Sequence, residues 1–218
     1  MISLNDIQAL IPECCEADAL GITALNDNER MCLSDFLPNF KSVIVMAHHV
    51  RHSLEWTWFQ FAASRDGCIP PADLHLEGEA QKVMNLLERS GRKSILIPYP
   101  AKCGVRFKNL ADKTGLGKMG DNFLFLHREW GPWTHLRVIL TDAVITDCLK
   151  ACDAVCIHCG ACAAACPANA IQEKELLGTV CGSHQHSIGK SIHAYDYQCE
   201  VCLRICPVGS APEPVTVT

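Results

Sequence analysis

Cysteines at tight spacing are the residues in this chain best equipped for chemistry. The run Cys156-Ile-His-Cys159-Gly-Ala-Cys162-Ala-Ala-Ala-Cys166-Pro167 spaces four thiols as C-x2-C-x2-C-x3-C-P. A shorter echo follows in Cys199-Glu-Val-Cys202-Leu-Arg-Ile-Cys206-Pro207. This is the spacing of bacterial-type 4Fe-4S ligation, in which three thiolates wrap one cubane and the fourth reaches a different cluster. The chemistry implied is one-electron transfer. Zinc is the competing reading, but structural zinc sites favour two C-x2-C pairs over four-Cys runs that end in Cys-Pro.

In a two-cluster module of this kind each motif gives three ligands to one cluster and lends its last cysteine to the other. Cys156, Cys159, Cys162 and Cys206 are therefore expected to hold the first 4Fe-4S cluster. Cys166, Cys199 and Cys202 supply three ligands to a second one. The shorter motif lacks a leading thiol, and the nearest upstream candidate is Cys181, which is assigned as the missing ligand. Cys148 and Cys152, just before the first motif, stand as alternatives. Most of the other cysteines, Cys14, Cys15, Cys32 and Cys68 among them, read as small hydrophobes of the interior. His184 and His186, on either side of a polar stretch after Cys181, read as solvated loop residues rather than iron ligands.

The elements that must position these thiols follow from apolar patterning. Leu4, Ile7, Leu10 and Ile11 fall at helical spacing. Residues 41–47 form a continuous β-branched apolar run, expected as a buried strand. Leu76, Ala80, Val83, Met84 and Leu87 share one helical face over residues 76–90, stopped at Gly91. Ser94–Ile97 reads as a second buried strand, Phe107–Gly115 as a helix, and Phe123–Leu126 and Leu136–Thr141 as further strands. Alternating strands and helices predict an α/β or α+β core over residues 1–145. The texture then changes to Cys, Ala and short loops, giving a ferredoxin-like module over residues 146–218.

Bulk properties narrow the function classes. The chain has 218 residues, 49% of them apolar, enough for one core and a small appended module. No apolar run approaches the ~18 residues of a membrane span. The first residues lack a basic stretch leading into an apolar one, and fifteen cysteines without such a leader point to metal ligation in a reducing cytoplasm. With 24 acidic and 19 basic residues the formal charge is −5, and no basic stripe suggests nucleic acid as a partner.

Gly115-Leu-Gly117-Lys-Met-Gly120 satisfies G-x-G-x-x-G, but it follows a helical pattern and precedes a strand, the reverse of a dinucleotide turn. Its glycines permit close backbone approach instead. That loop, continued as Asp121-Asn122, together with Arg128-Glu-Trp-Gly-Pro-Trp133 and Leu136-Arg-Val-Ile-Leu-Thr-Asp142, resembles the core of the epoxyqueuosine reductases. It is also similar to the related reductive dehalogenases, and the linear order of motifs holds over residues 38–208. The resemblance implies a nitroreductase-like core that binds cobalamin beside a cluster. In that picture Gly115, Gly117, Gly120 and Asn122, with the strand end at Thr141 and Asp142, would line the corrinoid pocket.

The chain also departs from that family. Its members carry an acidic residue, thought to donate a proton, some nine positions before Leu110-Ala111; here Tyr99–Val105 has no carboxylate, only Lys102 and Cys103 nearby. Those enzymes usually continue into a helical-repeat region that helps hold tRNA, whereas this chain stops at Thr218, so a small-molecule substrate is expected rather than tRNA. Three functions result. The first is a reductase passing electrons through two 4Fe-4S clusters to a corrinoid. The second is a ferredoxin-like carrier without a corrinoid, docking to a redox partner protein. The third is a flavin-binding reductase. His48, His49 and His52 are read as a polar strand end reaching solvent, and Trp56, Trp58 and Phe59 as core aromatics.

Overall fold

A computed structural model describes residues 18–23, 25–52, 55, 59–60, 68–98, 104–145, 149–150, 152–173, 175–191 and 199–212. The amphipathic 4–11 segment, Cys14, Cys15, Trp56, Trp58, Lys102, Cys103 and Cys148 lie outside them. So do the side chains of Phe59 and Cys68.

In chain order the elements are β1 (Asp18–Thr23), α1 (Asp27–Ser34), β2 (Ser42–His49), β3 (Phe59–Gln60), β4 (Cys68–Ile69), α2 (Pro71–Arg89), β5 (Ser94–Leu96), α3 (Phe107–Ala111), β6 (Gly117–Met119), β7 (Phe125–His127), β8 (Thr134–Thr141), α4 (Ala161–Ala165), α5 (Gly178–Ser191) and α6 (Val201–Arg204). The main sheet runs β1-β2-β8-β5, and every pairing in it is antiparallel. The architecture is therefore α+β, the second of the two classes expected from the alternation.

Strand β2 explains the continuous apolar run. It sits between β1 and β8, in register from Ser42 opposite Thr141 to His49 opposite Thr134. Both of its faces are covered, so both sets of alternating side chains are apolar. Ile44 and Met46 pack with Leu76, Ala80, Val83 and Leu87 of α2, while Val43, Val45 and Ala47 meet Phe107, Leu110 and Trp130 on the other side. Helix α1 begins at a capping box. The Asn26 side chain accepts from the Glu29 amide at 2.8 Å, and the Glu29 carboxylate accepts from the Asn26 amide at 3.0 Å.

The histidines at the end of β2 do not project into water. His48 is 5% exposed, bonds Glu55 at 2.6 Å and lies 4.4 Å from the His75 ring. His49 stacks on Trp130 at 5.1 Å, and only His52 is exposed as expected. Nearby, Asp73 of α2 accepts from His135 at 2.8 Å and from Arg137 at 2.9 Å inside the fold. Burial works against that carboxylate's charge, yet the bonds from His135 and the charge of Arg137 outweigh it and hold the pKa below the usual range.

His127 supplies a pH-dependent element of stability. Its Nδ1 accepts from the Glu129 and Trp130 amides, and its ring stacks on Trp130 at 3.7 Å. Burial first, then the charges of Arg128 and His49, lower its pKa to about 4. Because the folded pKa lies below the unfolded one, the stabilisation is complete above about pH 6.5 and drains away as pH falls toward 4. The loss amounts to about 3 kcal/mol. His127→Phe is expected to remove that slope, read as the difference between the two Tm–pH curves; parallel curves would refute it.

Candidate iron–sulfur site and its attachment to the core

The cluster-bearing end of the chain is locked to the core by backbone approach. Gly131 adopts φ +61°, and a Cβ there would stand 1.9 Å from the Val208 carbonyl oxygen. Gly209, at φ +75°, answers it: its Cβ would stand 2.3 Å from the Trp130 carbonyl. Val50, Ala72 and Trp133 of the core close around Leu203 of α6, and the Arg204 guanidinium lies 5.5 Å over the Trp133 ring. Asn122 adds a polar tie, its Nδ2 donating to the Cys202 carbonyl at 3.4 Å.

These contacts gather the thiols into two sets. Cys156, Cys159, Cys162 and Cys206 together line one pocket, whose core-side wall is Asp121, Asn122 and Leu126. Gly160, at φ +72°, turns the chain between Cys159 and α4 so that Cys162 faces inward, where it is buried. Burial raises the Cys162 thiol, as do the nearby Asp121 and Cys156 charges; Cys206 is raised by burial and by Cys156 and Cys159.

The second set is drawn from more distant segments. The Cys202 thiol is pushed up to about 11 by burial and by Cys199, Cys181 and Cys166, with Cys162 of the first set contributing last. Cys181 is thus among the thiols near enough to act on Cys202. Burial opposes a thiolate at Cys166, but the backbone N–H groups of Ala170, Ala168, Ile171 and Asn169 outweigh it and lower the pKa. The Ala170 amide lies 3.3 Å from its Sγ. Soft thiols clustered in fours, some raised by mutual repulsion, suit a cation that displaces their protons on binding. The donor set fits iron–sulfur ligation.

The other expected site residues are distributed differently. Asn122 reaches the first pocket, with Asp121 beside it. The faces of the three loop glycines are filled by the chain itself. A Cβ would meet the Lys150 carbonyl at 2.5 Å from Gly115, the Leu126 carbonyl at 2.0 Å from Gly117, and the Leu126 side chain at 2.6 Å from Gly120. They form an internal contact rather than a wall open to a large flat cofactor. Thr141 and Asp142 bond Lys93, at the end of β8 farthest from Thr134, about 23 Å along an eight-residue strand. These six residues as a group do not fit a corrinoid.

Sequence reading missed several features here. The stretch around Cys181, expected as a polar loop, is helix α5, and His184 is partly buried in it. His158, between two cluster cysteines, bonds Asp121 through Nδ1 at 3.0 Å, and ligand atoms of Asp121, Cys156 and His158 lie within 4.8 Å of one another. The glycine two residues beyond Cys206-Pro207 was the available signal for the Gly131–Gly209 crossing. Cys32 packs against the core as expected, and Cys152 is partly exposed. Among the described residues no helix is long and apolar enough to cross a membrane.

Comparison with known proteins agrees with this geometry. A family described as 4Fe-4S binding domain matches residues 153–172. The chain is 26% identical to an epoxyqueuosine reductase of Aliivibrio fischeri over 141 residues, 58% of this chain and 36% of the relative. The structure of epoxyqueuosine reductase from Streptococcus thermophilus superposes with a TM-score of 0.71 at 18% identity, covering 98% of this chain and 68% of that one. A catabolic reductive dehalogenase in complex with 3-bromo-4-hydroxybenzoic acid superposes at 0.61 and 17% identity, covering 93% and 31%. The matches span about a third of the curated relatives, 36%, 28% and 33% of their lengths. The chain carries a 4Fe-4S domain and shares the fold of the epoxyqueuosine reductases.

Proposed function

We propose that this chain is an iron–sulfur oxidoreductase that passes single electrons through two 4Fe-4S clusters to an acceptor. The observation that supports this reading is the pocket lined by Cys156, Cys159, Cys162 and Cys206, which opens onto Asp121 and Leu126 of the core, with Cys166, Cys181 and Cys199 near enough to act on Cys202. The clusters, when bound, supply one-electron steps at potentials set by their surroundings. Cys162 and Cys202 would hold iron in partly dry surroundings, which would shield a reduced cluster from solvent. Asn122 fixes the distance between the core loop and α6. Gly131 and Gly209 keep Cys206 against the core.

The electron donor is a partner protein. Ile157, Val201 and Ile205 border the cluster cysteines yet are 65%, 37% and 48% exposed, an apolar rim of the kind that redox partners cover briefly. The acceptor is a corrinoid or a second protein. The relatives' names favour a reductase. The closed faces of Gly115, Gly117 and Gly120 favour the second reading, a carrier that hands its electrons to another protein.

Anaerobic titration of the cluster-loaded chain with cob(II)alamin, followed by EPR, separates the two. A stoichiometric shift of the cobalt signal to a bound, base-off form supports a corrinoid-dependent reductase. An unchanged cobalt signal beside reducible clusters supports the carrier, and a flavin released on denaturation would overturn both acceptors.

A further inference from the structure

Helix α5 carries Cys181 in its first turn and His184 and Gln185 one turn on. Residues three and four positions apart share a helix face, and Gln185 already uses that proximity: its Nε2 donates to the Cys181 Sγ at 3.4 Å. The His184 Nε2 is shielded from solvent and has no hydrogen-bond partner among the described residues. Such a buried, unsatisfied atom is rare in native proteins, where it marks an ion, a water or a ligand. The neighbouring chemistry says which. Cys181 lies close enough to Cys202, with Cys199 and Cys166, for its charge to act there.

We propose that His184 donates its Nε2–H to the sulfur of the cluster held by Cys166, Cys181, Cys199 and Cys202, and thereby raises that cluster's reduction potential. The inference rests on the two-cluster reading above. Reduction adds negative charge to the cluster, so a donor aimed at its sulfur stabilises the reduced form more than the oxidised one. His184 is a positioning residue here and not a ligand; the four thiols complete the iron set. Gln185 acts beside it by holding the Cys181 sulfur in place.

The test is a redox titration followed by EPR on the full, cluster-loaded chain, with the wild type, His184→Leu and His184→Gln compared. His184→Leu is expected to shift the one-electron reduction of the second cluster about tenfold toward the oxidised form, about 59 mV, with iron content and the first cluster unchanged. His184→Gln, which keeps an N–H donor, should recover part of that shift. An unchanged potential in His184→Leu overturns the proposal. So does loss of the second cluster's iron in both variants, which would make His184 a ligand. Pulsed EPR adds a check that does not depend on the leucine variant folding. Protein grown with 15N-histidine should show a weak 15N coupling to the reduced second cluster that disappears in His184→Gln, and its absence in the wild type refutes the donor. A wild-type chain that assembles only one cluster defeats the underlying reading, an outcome separate from all of these.

Discussion

Cys181→Ala will halve the iron bound by this chain, from about eight atoms to about four, while the cluster at Cys156, Cys159, Cys162 and Cys206 survives. The expectation follows from the way the thiols sort. On the two-cluster reading Cys181 completes the set of Cys166, Cys199 and Cys202; with those neighbours it adds to the burial that pushes the Cys202 pKa up. Removing one ligand of four leaves an open iron position, through which the second cluster is expected to lose its metal. The first set draws nothing from α5, since its pocket is lined by Cys156, Cys159, Cys162 and Cys206 with Asp121, Asn122 and Leu126. Iron and sulfide analysis after anaerobic reconstitution reads the result. A variant that retains about eight irons would move the fourth ligand elsewhere, with Cys152 the described alternative.

Gly131→Val is expected to cost about 3 kcal/mol or more and to strip the first cluster as well. Two penalties add at this position. A left-handed backbone costs a side-chain-bearing residue about 1–2 kcal/mol, and a Cβ at 1.9 Å from the Val208 carbonyl forces two backbones apart. Val208 lies two residues beyond Cys206, so displacement there pulls a ligand off the first set. Gly78→Ala is the control: Gly78 is an exposed position inside α2 with nothing within 4 Å of a built Cβ, and alanine there should stabilise by about 0.5–1 kcal/mol. Denaturation midpoints and iron content of the two variants, measured together, distinguish a local clash from a general intolerance of glycine replacement. Equal behaviour of the pair would contradict the interlock.

How much of this was legible in the chain depended on whether the deciding contacts are local. The cluster motifs were, because ligand spacing is written within a dozen residues. Strands β2 and β8 and helix α2 were too, since apolar runs and a 3.6-residue repeat survive any tertiary arrangement. Strand β1 was not: Asp18-Ala-Leu-Gly-Ile-Thr23 is short and contains Gly21, whose place in the strand is explained only by Thr114, 2.5 Å from where a Cβ would sit. Helix α1 had a readable signal in Asn26-Asp-Asn-Glu29, a capping box that was passed over. Helix α5 holds Gly178, Gly182 and Gly189, poor helix formers that read as loop, and its environment overrides that preference.

The site residues show the same division. The glycines of the 115–120 loop were read from a family resemblance as facing a cofactor, whereas they face Lys150 and Leu126. Nothing in the local sequence announces that Lys150 returns to that point. His48 was read as solvated because its partners are separated from it: Glu55 follows in a turn and His75 comes from another element, α2. Neither companion shares a strand with it, so alternation alone could not reveal the burial.

The most direct test of the account is the EPR spectrum, with spin quantitation, of the fully reduced, reconstituted chain. Two clusters held by the thiol sets read here would lie close enough to couple, since Cys162 of the first set acts electrostatically on Cys202 of the second. The account predicts about two spins per chain and a spectrum split by their magnetic interaction, accompanied by about eight irons. About one spin per chain in a single uncoupled signal, with about four irons, would contradict it and leave Cys166, Cys181, Cys199 and Cys202 as ordinary thiols.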